Sequence, residues 1–342
     1  MRRARAALVV VLLLGVAGIA SAEQMTLTRS GDLYRLAKGD RGLVVNALFA
    51  DGTAAELSVP QSVVSVESSL QVGVDEATGA LFVLWQRRTG MEAKLRLATY
   101  IDGTWIGPTT IAGNDGTAAS NPQFLVHRVE TMITEQAEEG EEPVVTELAT
   151  TFLHIVWWSK TNEDDPGAAR LASIPIGSDG TPQVAGFKAD VLSDLLPFGY
   201  ACFDLEDTEN LKQPKLFVDP QSGNPYVFAT DLEYCLFRIL ELRPEVVEEI
   251  DGEDDSKRRR HITVWNTDKV IAMRRDLPLA IGSLEVGSNL SLIMHWDSDR
   301  EEEALLHYLE LDVEGVSETK TLTLGEQLSH EQAVELIRGL TR

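Results

Sequence analysis

Short runs of alternating apolar and polar positions, broken by Gly, Asp and Asn, fill the chain beyond about residue 25 and predict β-strands joined by turns. One phrase recurs: a short strand, a turn, then an alternating strand that closes on an aromatic residue. Its first copy is 70–74, a turn at 75–79, and Leu81-Phe82-Val83-Leu84-Trp85. The second is 122–126, an acidic stretch, and Leu153-His154-Ile155-Val156-Trp157. The third runs through 214–218, a turn at 219–223 and Tyr226-Val227-Phe228, and the fourth through 283–286, 287–289 and Leu292-Ile293-Met294-His295-Trp296. Another strand follows each copy, at 94–100, 169–176, 236–242 and 304–311, and a further candidate strand trails the first, second and fourth.

Four short antiparallel strands per unit, repeated at intervals, describe the blades of a β-propeller. The interval from Trp85 to Trp157 is close to half that from Trp157 to Trp296, as a missing tryptophan in the third copy requires. Residues 25–59 add strand-like runs for a further unit. The expected fold is therefore all-β, a propeller of five blades within a range of four to seven, occupying residues 23–328. A pair of β-sandwiches is the competing arrangement, but it explains the repeated unit less well. Two charged segments interrupt the pattern. Residues 130–147 are acidic and read as an exposed loop or extended hairpin, and 245–260 begin acidic and end in Lys257-Arg258-Arg259-Arg260. At the C-terminus, Ser329 and Gln332 form a capping-box pattern, and Ala333, Val334, Leu336, Ile337 and Leu340 share one helical face. A short helix is expected within 329–342.

Asp102-Gly103-Thr104-Trp105, and more loosely Ser178-Asp179-Gly180-Thr181, match the end of an Asp-box turn. On these residues the chain resembles the sialidase-type propellers, in which that box is a structural hairpin between the third and fourth strands of a blade. The resemblance covers about half of the chain and implies a fold, not sialidase activity. That activity uses an arginine triad and a tyrosine nucleophile paired with glutamate, and an early Phe-Arg-Ile-Pro phrase. Only Phe237-Arg238-Ile239-Leu240 is similar to that phrase, in mid-chain and without the proline.

The N-terminus changes the picture of compartment. Arg2, Arg3 and Arg5 precede an unbroken apolar or glycine run from Leu8 to Ile19, and Ala20-Ser21-Ala22 supplies a small-x-small cleavage pattern. The run is shorter than the roughly 20 residues that span a bilayer, so residues 1–22 read as a signal peptide. A secreted or periplasmic protein with no lasting membrane anchor is expected. The chain carries 54 acidic against 30 basic residues, a formal charge of −24, and loss of the signal removes three arginines and no acid. Such a body repels nucleic acid, which excludes that class of partner. In an oxidising compartment Cys202 and Cys235 read as one disulfide, worth about 3–4 kcal/mol, or as two buried thiols.

Candidate chemistry is sparse. Asp297, Asp299 and Glu301 alternate after Trp296 and offer hard oxygen ligands for calcium, the one cofactor the sequence suggests; a charged hairpin loop is the plainer reading. The six histidines (His127, His154, His261, His295, His307 and His330) form no short-spaced zinc pair. His154 and His295 fall on equivalent strands and are candidates for lining a central channel, against the commoner role of a hydrogen-bonded strand histidine. Trp158 points opposite Trp157 on an alternating strand and is the candidate exposed aromatic for a ligand face. No Gly-x-Ser-x-Gly elbow is present. The expectation is an exported, non-catalytic propeller that binds a protein, peptide or glycan through one end of its ring. The alternative is a secreted carbohydrate-active enzyme, hydrolase or lyase, whose carboxylates are dispersed among the repeats.

Overall fold

The computed structural model describes residues 24–135, 144–161, 167–184, 190–191, 214–218, 223–231, 236–250, 257–272, 283–286, 292–297, 305–311 and 320–323. The signal segment, the C-terminal helix expectation, Cys202, Cys235, Asp299 and Glu301 lie outside these residues. Among the described residues every helix-or-strand element is a strand, and the strands form five four-stranded antiparallel sheets. Blade 1 holds β1 (Gln24–Leu27), β2 (Leu33–Lys38), β3 (Leu43–Leu48) and β4 (Ala54–Ser58). Blade 2 holds β5 (Glu67–Asp75), β6 (Ala80–Thr89), β7 (Glu92–Ile101) and β8 (Thr104–Ala112). In blade 3 are β9 (Ala118–Glu135), β10 (Val144–Lys160), β11 (Ala168–Ile176) and β12 (Asp190–Val191). Blade 4 has β13 (Lys215–Val218), β14 (Pro225–Asp231), β15 (Leu236–Ile250) and β16 (Lys257–Ala272), and blade 5 has β17 (Ser283–Val286), β18 (Leu292–Asp297), β19 (Leu305–Leu311) and β20 (Lys320–Thr323).

Every sheet is a simple meander in chain order. The first strands of successive blades lie beside one another, β1 with β5, β5 with β9 and β9 with β13, which sets them toward the axis of the ring. The chain is a β-propeller.

Strand alternation decides which blade each side chain meets. Leu81, Val83 and Trp85 of β6 pack on Leu36, Leu43 and Val45 of blade 1. The intervening Phe82 and Leu84 pack on Leu153, Ile155 and Trp157 of blade 3. On β10 the other parity, Val156 and Trp158, meets Val227, Leu240 and Leu242 of blade 4. A second strand covered on two faces is therefore the seam of the ring, which is why the recurring phrase is apolar at nearly every position, with His154 and His295 the exceptions. Trp85, Trp157 and Trp158 are all nearly fully buried. Trp158 does point away from Trp157, but blade 4 covers it at 2% exposure, so the exposed ligand-facing role expected of it is corrected.

Two glycines have a specific reason. Asp102 and Gly103 both have positive φ (49° and 79°) in the β7–β8 hairpin, as a two-residue turn of the primed type demands. A Cβ on Gly73 would lie 2.8 Å from the Phe124 ring, so blades 2 and 3 approach there too closely for any side chain. Both Asp-box-like turns follow third strands: Asp102 joins β7 to β8, and 178–181 follows β11, where Thr181 N–H donates to Asp179 at 2.9 Å.

The charged segments are strand extensions. β9 and β10 stay in register from Lys160↔Ala118 to Val144↔Glu135, apart from one bulge at Val156/Trp158, carrying 130–135 and 144–147 outward as paired strands. In β15–β16 the acidic and basic blocks face each other: Glu248 opposes Arg259, with Arg259 Nε donating to Glu248 Oε1 at 2.8 Å, and Glu249 opposes Arg258. The Arg259–Glu248 ion pair thus links the two blocks across the strands.

Candidate functional site

A meander sends its first and third turns to one end and its second turn and exit loop to the other. Both long hairpins, a first turn in blade 3 and a third turn in blade 4, belong to one end. They are joined there by His261 of β16, whose Nε2 lies 2.9 Å from Thr131 Oγ1 and whose Nδ1 lies 3.0 Å from Thr150 Oγ1. One neutral imidazole has one donor and one acceptor nitrogen, and the two hydroxyls complement both. Burial lowers the His261 pKa, consistent with that neutral ring.

At the opposite end, the β6–β7 turn, the loop from β8 to β9 and the end of β10 enclose a cavity of about 620 Å³ between blades 2 and 3. That volume lies within the usual range of small-ligand pockets. Gln86 forms a fixed wall. Its carbonyl oxygen accepts from Ser68 Oγ at 3.1 Å and Ser69 Oγ at 3.3 Å, while its amide donates to the Ala119 carbonyl at 3.0 Å. One buried amide thus ties β5 and β6 to the first strand of the next blade. Arg88, Lys94 and Lys160 contribute cations, and Asn114, Thr117 and Ser120 contribute neutral hydrogen-bonding groups. Among the described residues Glu92 is the one carboxylate in the lining, and Lys94 Nζ lies 3.1 Å from it. Asp115 in the same loop is exposed and accepts from the Thr117 hydroxyl at 2.6 Å, which holds its pKa down, with further help from the Thr117 N–H and Arg170. A second cavity of about 550 Å³ lies on blade 1 alone, around the β2–β3 turn, and joins no two blades.

Two buried polar clusters are structural. Glu67 Oε1 accepts from Val63 N–H at 3.1 Å and so pins the connection from blade 1 to blade 2. Burial raises its pKa, while that N–H, Arg87 and Arg96 pull it back. In blade 3, His154 Nδ1 lies 2.8 Å from Ser173 Oγ, and its ring stacks on Phe152 at 5.7 Å and 18°. Among the described residues its Nε2 has no hydrogen-bond partner. Burial first, then the nearby His127 ring 5.7 Å away, lowers the His154 pKa to about 3.

His154 shares the strand parity of Val156 and Trp158, on the side of β10 that meets blade 4, and is 1% exposed. It is a buried second-strand residue, so its expected channel-lining position is corrected. His295 falls on β18, opposite Ser283 and Tyr308, and Asp297 ends that strand opposite Leu306. Among the described residues no three His, Cys, Asp or Glu side chains converge on a metal-sized point.

The pocket residues were not singled out from the sequence, although a signal existed. Arg88 stands three residues after Trp85, and Lys160 three after Trp157. Equivalent positions in adjacent copies of a meander end at the same face of the ring.

Successive four-stranded meanders, the first four of them packed side by side, with a polar pocket at the junction of two, define a β-propeller with an end-face cavity. No family model and no curated protein matches the chain. Solved structures that align with it at low similarity include three arabinanases. A GH43 endo-arabinanase from Bacillus licheniformis has 12% identity and a TM-score of 0.34, over 87% of this chain and 97% of that one. An exo-1,5-alpha-L-arabinanase from a bovine ruminal metagenomic library has 12% identity and 0.30, over 90% and 96%. The native arabinanase of Bacillus subtilis has 12% identity and 0.24, over 66% and 95%.

Proposed function

We propose that the chain is an exported, non-catalytic propeller that binds a glycan in the cavity between blades 2 and 3. The observation that carries this reading is the lining itself. Amide, hydroxyl and cationic donors surround a volume suited to one or two sugar rings, and its single carboxylate is already engaged by Lys94. Glycoside hydrolysis ordinarily needs two carboxyl groups flanking the scissile bond, and among the described residues Glu92 is the one carboxylate lining this cavity. The sialidase-type likeness contributes only its two turns to this reading.

The test is a panel of soluble polysaccharides, arabinan included because the aligned structures are arabinanases, offered to the mature chain. Retarded migration in affinity electrophoresis without release of reducing ends is the expected result. Release of reducing ends from any member would replace this reading with the carbohydrate-active enzyme. Neither retardation nor release would remove both.

A further inference from the structure

Resting on the glycan reading, we propose that the pocket between blades 2 and 3 selects a carboxylate-bearing sugar, a uronic-acid residue, over a neutral one. The charge pattern carries the inference. Acids outnumber bases 54 to 30 along the chain, yet the pocket lining holds three cations and one acid. Lys94 is engaged with Glu92, and Asp115, exposed and outside the lining, accepts from Thr117 within its own loop. Arg88 and Lys160 remain, and among the described residues no ion pair uses either of them. The run Glu163-Asp164-Asp165 follows Lys160 in sequence and lies outside the described residues.

The two cations are register equivalents, each just past the buried tryptophan of a second strand, so the ring brings them to one cavity from two rigid walls. A guanidinium pairs with a carboxylate through two parallel N–H donors, and a lysine adds a point charge from the other wall. The neutral donors, Asn114, Thr117 and Ser120, suit the hydroxyls of the same ring. Against an acidic body, a polyanion is repelled everywhere except at such a local reversal of sign.

Titration calorimetry on the mature chain decides the matter, with three probes: a galacturonic-acid trimer, the corresponding neutral galactose trimer, and a sulfated trimer. Selective binding of the galacturonate trimer is expected, with affinity reduced at least tenfold in R88Q/K160Q. Lys38→Gln, remote from the pocket, should leave it unchanged, and circular-dichroism melts should show both variants folded. Equal binding of the neutral trimer, weakened by Asn114→Ala, would overturn the acidic-sugar inference and leave the glycan reading standing. Preference for the sulfated trimer would overturn the choice of carboxylate. Galacturonate binding untouched in R88Q/K160Q would overturn the assignment to this pocket. No binding by any probe, together with a blank polysaccharide panel, would end both proposals.

Discussion

Acid should loosen the propeller at a seam between blades, and His154→Phe should relieve it. The native ring is buried and neutral, with a pKa near 3 against 6.5 for an exposed histidine. Because the folded value is depressed, the neutral ring's stability is fully present above about pH 6.5 and declines as the pH falls, since the unfolded chain then binds a proton that the folded chain refuses. Between those two pKa values each pH unit removes about 1.4 kcal/mol. The loss relative to a non-titrating side chain is about 0.1 kcal/mol at pH 7.5 and about 2 kcal/mol at pH 5. Phenylalanine keeps the stack on Phe152 and forfeits the bond to Ser173, a change that does not vary with pH. Urea unfolding of wild type and His154→Phe at pH 7.5, 6.5, 5.5 and 5 isolates the effect, because the many carboxylates titrate alike in both. The difference between the two curves should move by about 2 kcal/mol in favour of the variant across that range. A difference constant to within about 0.5 kcal/mol would refute the reasoning.

Three further outcomes are expected. Gly73→Val drives a branched side chain into the Phe124 ring, and should cost about 2–4 kcal/mol in chemical unfolding, a small loss showing that the blades yield there. His261→Ala removes both threonine contacts between the long hairpins, and should lower stability by about 1–2 kcal/mol while deprotecting amides in 128–135 to hydrogen exchange; unchanged protection would show that His261 does not join them. Expressed in a secreting host, the mature protein should begin at Glu23 by intact mass, and a retained residue 1–22 segment would remove the export reading.

The blades were legible because their physics is local. A second strand covered on both faces is apolar at nearly every position, His154 being the exception on β10, so the phrases ending in Trp85 and Trp157 stood out against the half-exposed strands around them. The burial of Trp158 was not legible. Alternation gives the direction of a side chain but not what lies in that direction, and blade 4 supplies Leu240 and Leu242 from more than eighty residues away. The acidic segment 245–250 read as solvated because its compensation, 257–260, pairs with it only once β15 and β16 are in register. The pocket is assembled from a turn, a loop and a strand end, none of which is a motif by itself. Its one sequence trace, the shared position of Arg88 and Lys160, becomes meaningful only when the tryptophans are taken as rulers for the copies.

The hairpins joined by His261 lie at the end of the ring remote from the pocket, which makes the molecule polar in the directional sense. Growth of a first or third turn lengthens one end without displacing a residue at the other, so each end is free to change under its own selection. A ligand seated beside Gln86 would leave the His261 junction pointing away from whatever surface the ligand belongs to. Among the described residues the two ends are thus held by separate contacts, Gln86 to Ala119 beside the pocket and His261 with Thr131 at the other.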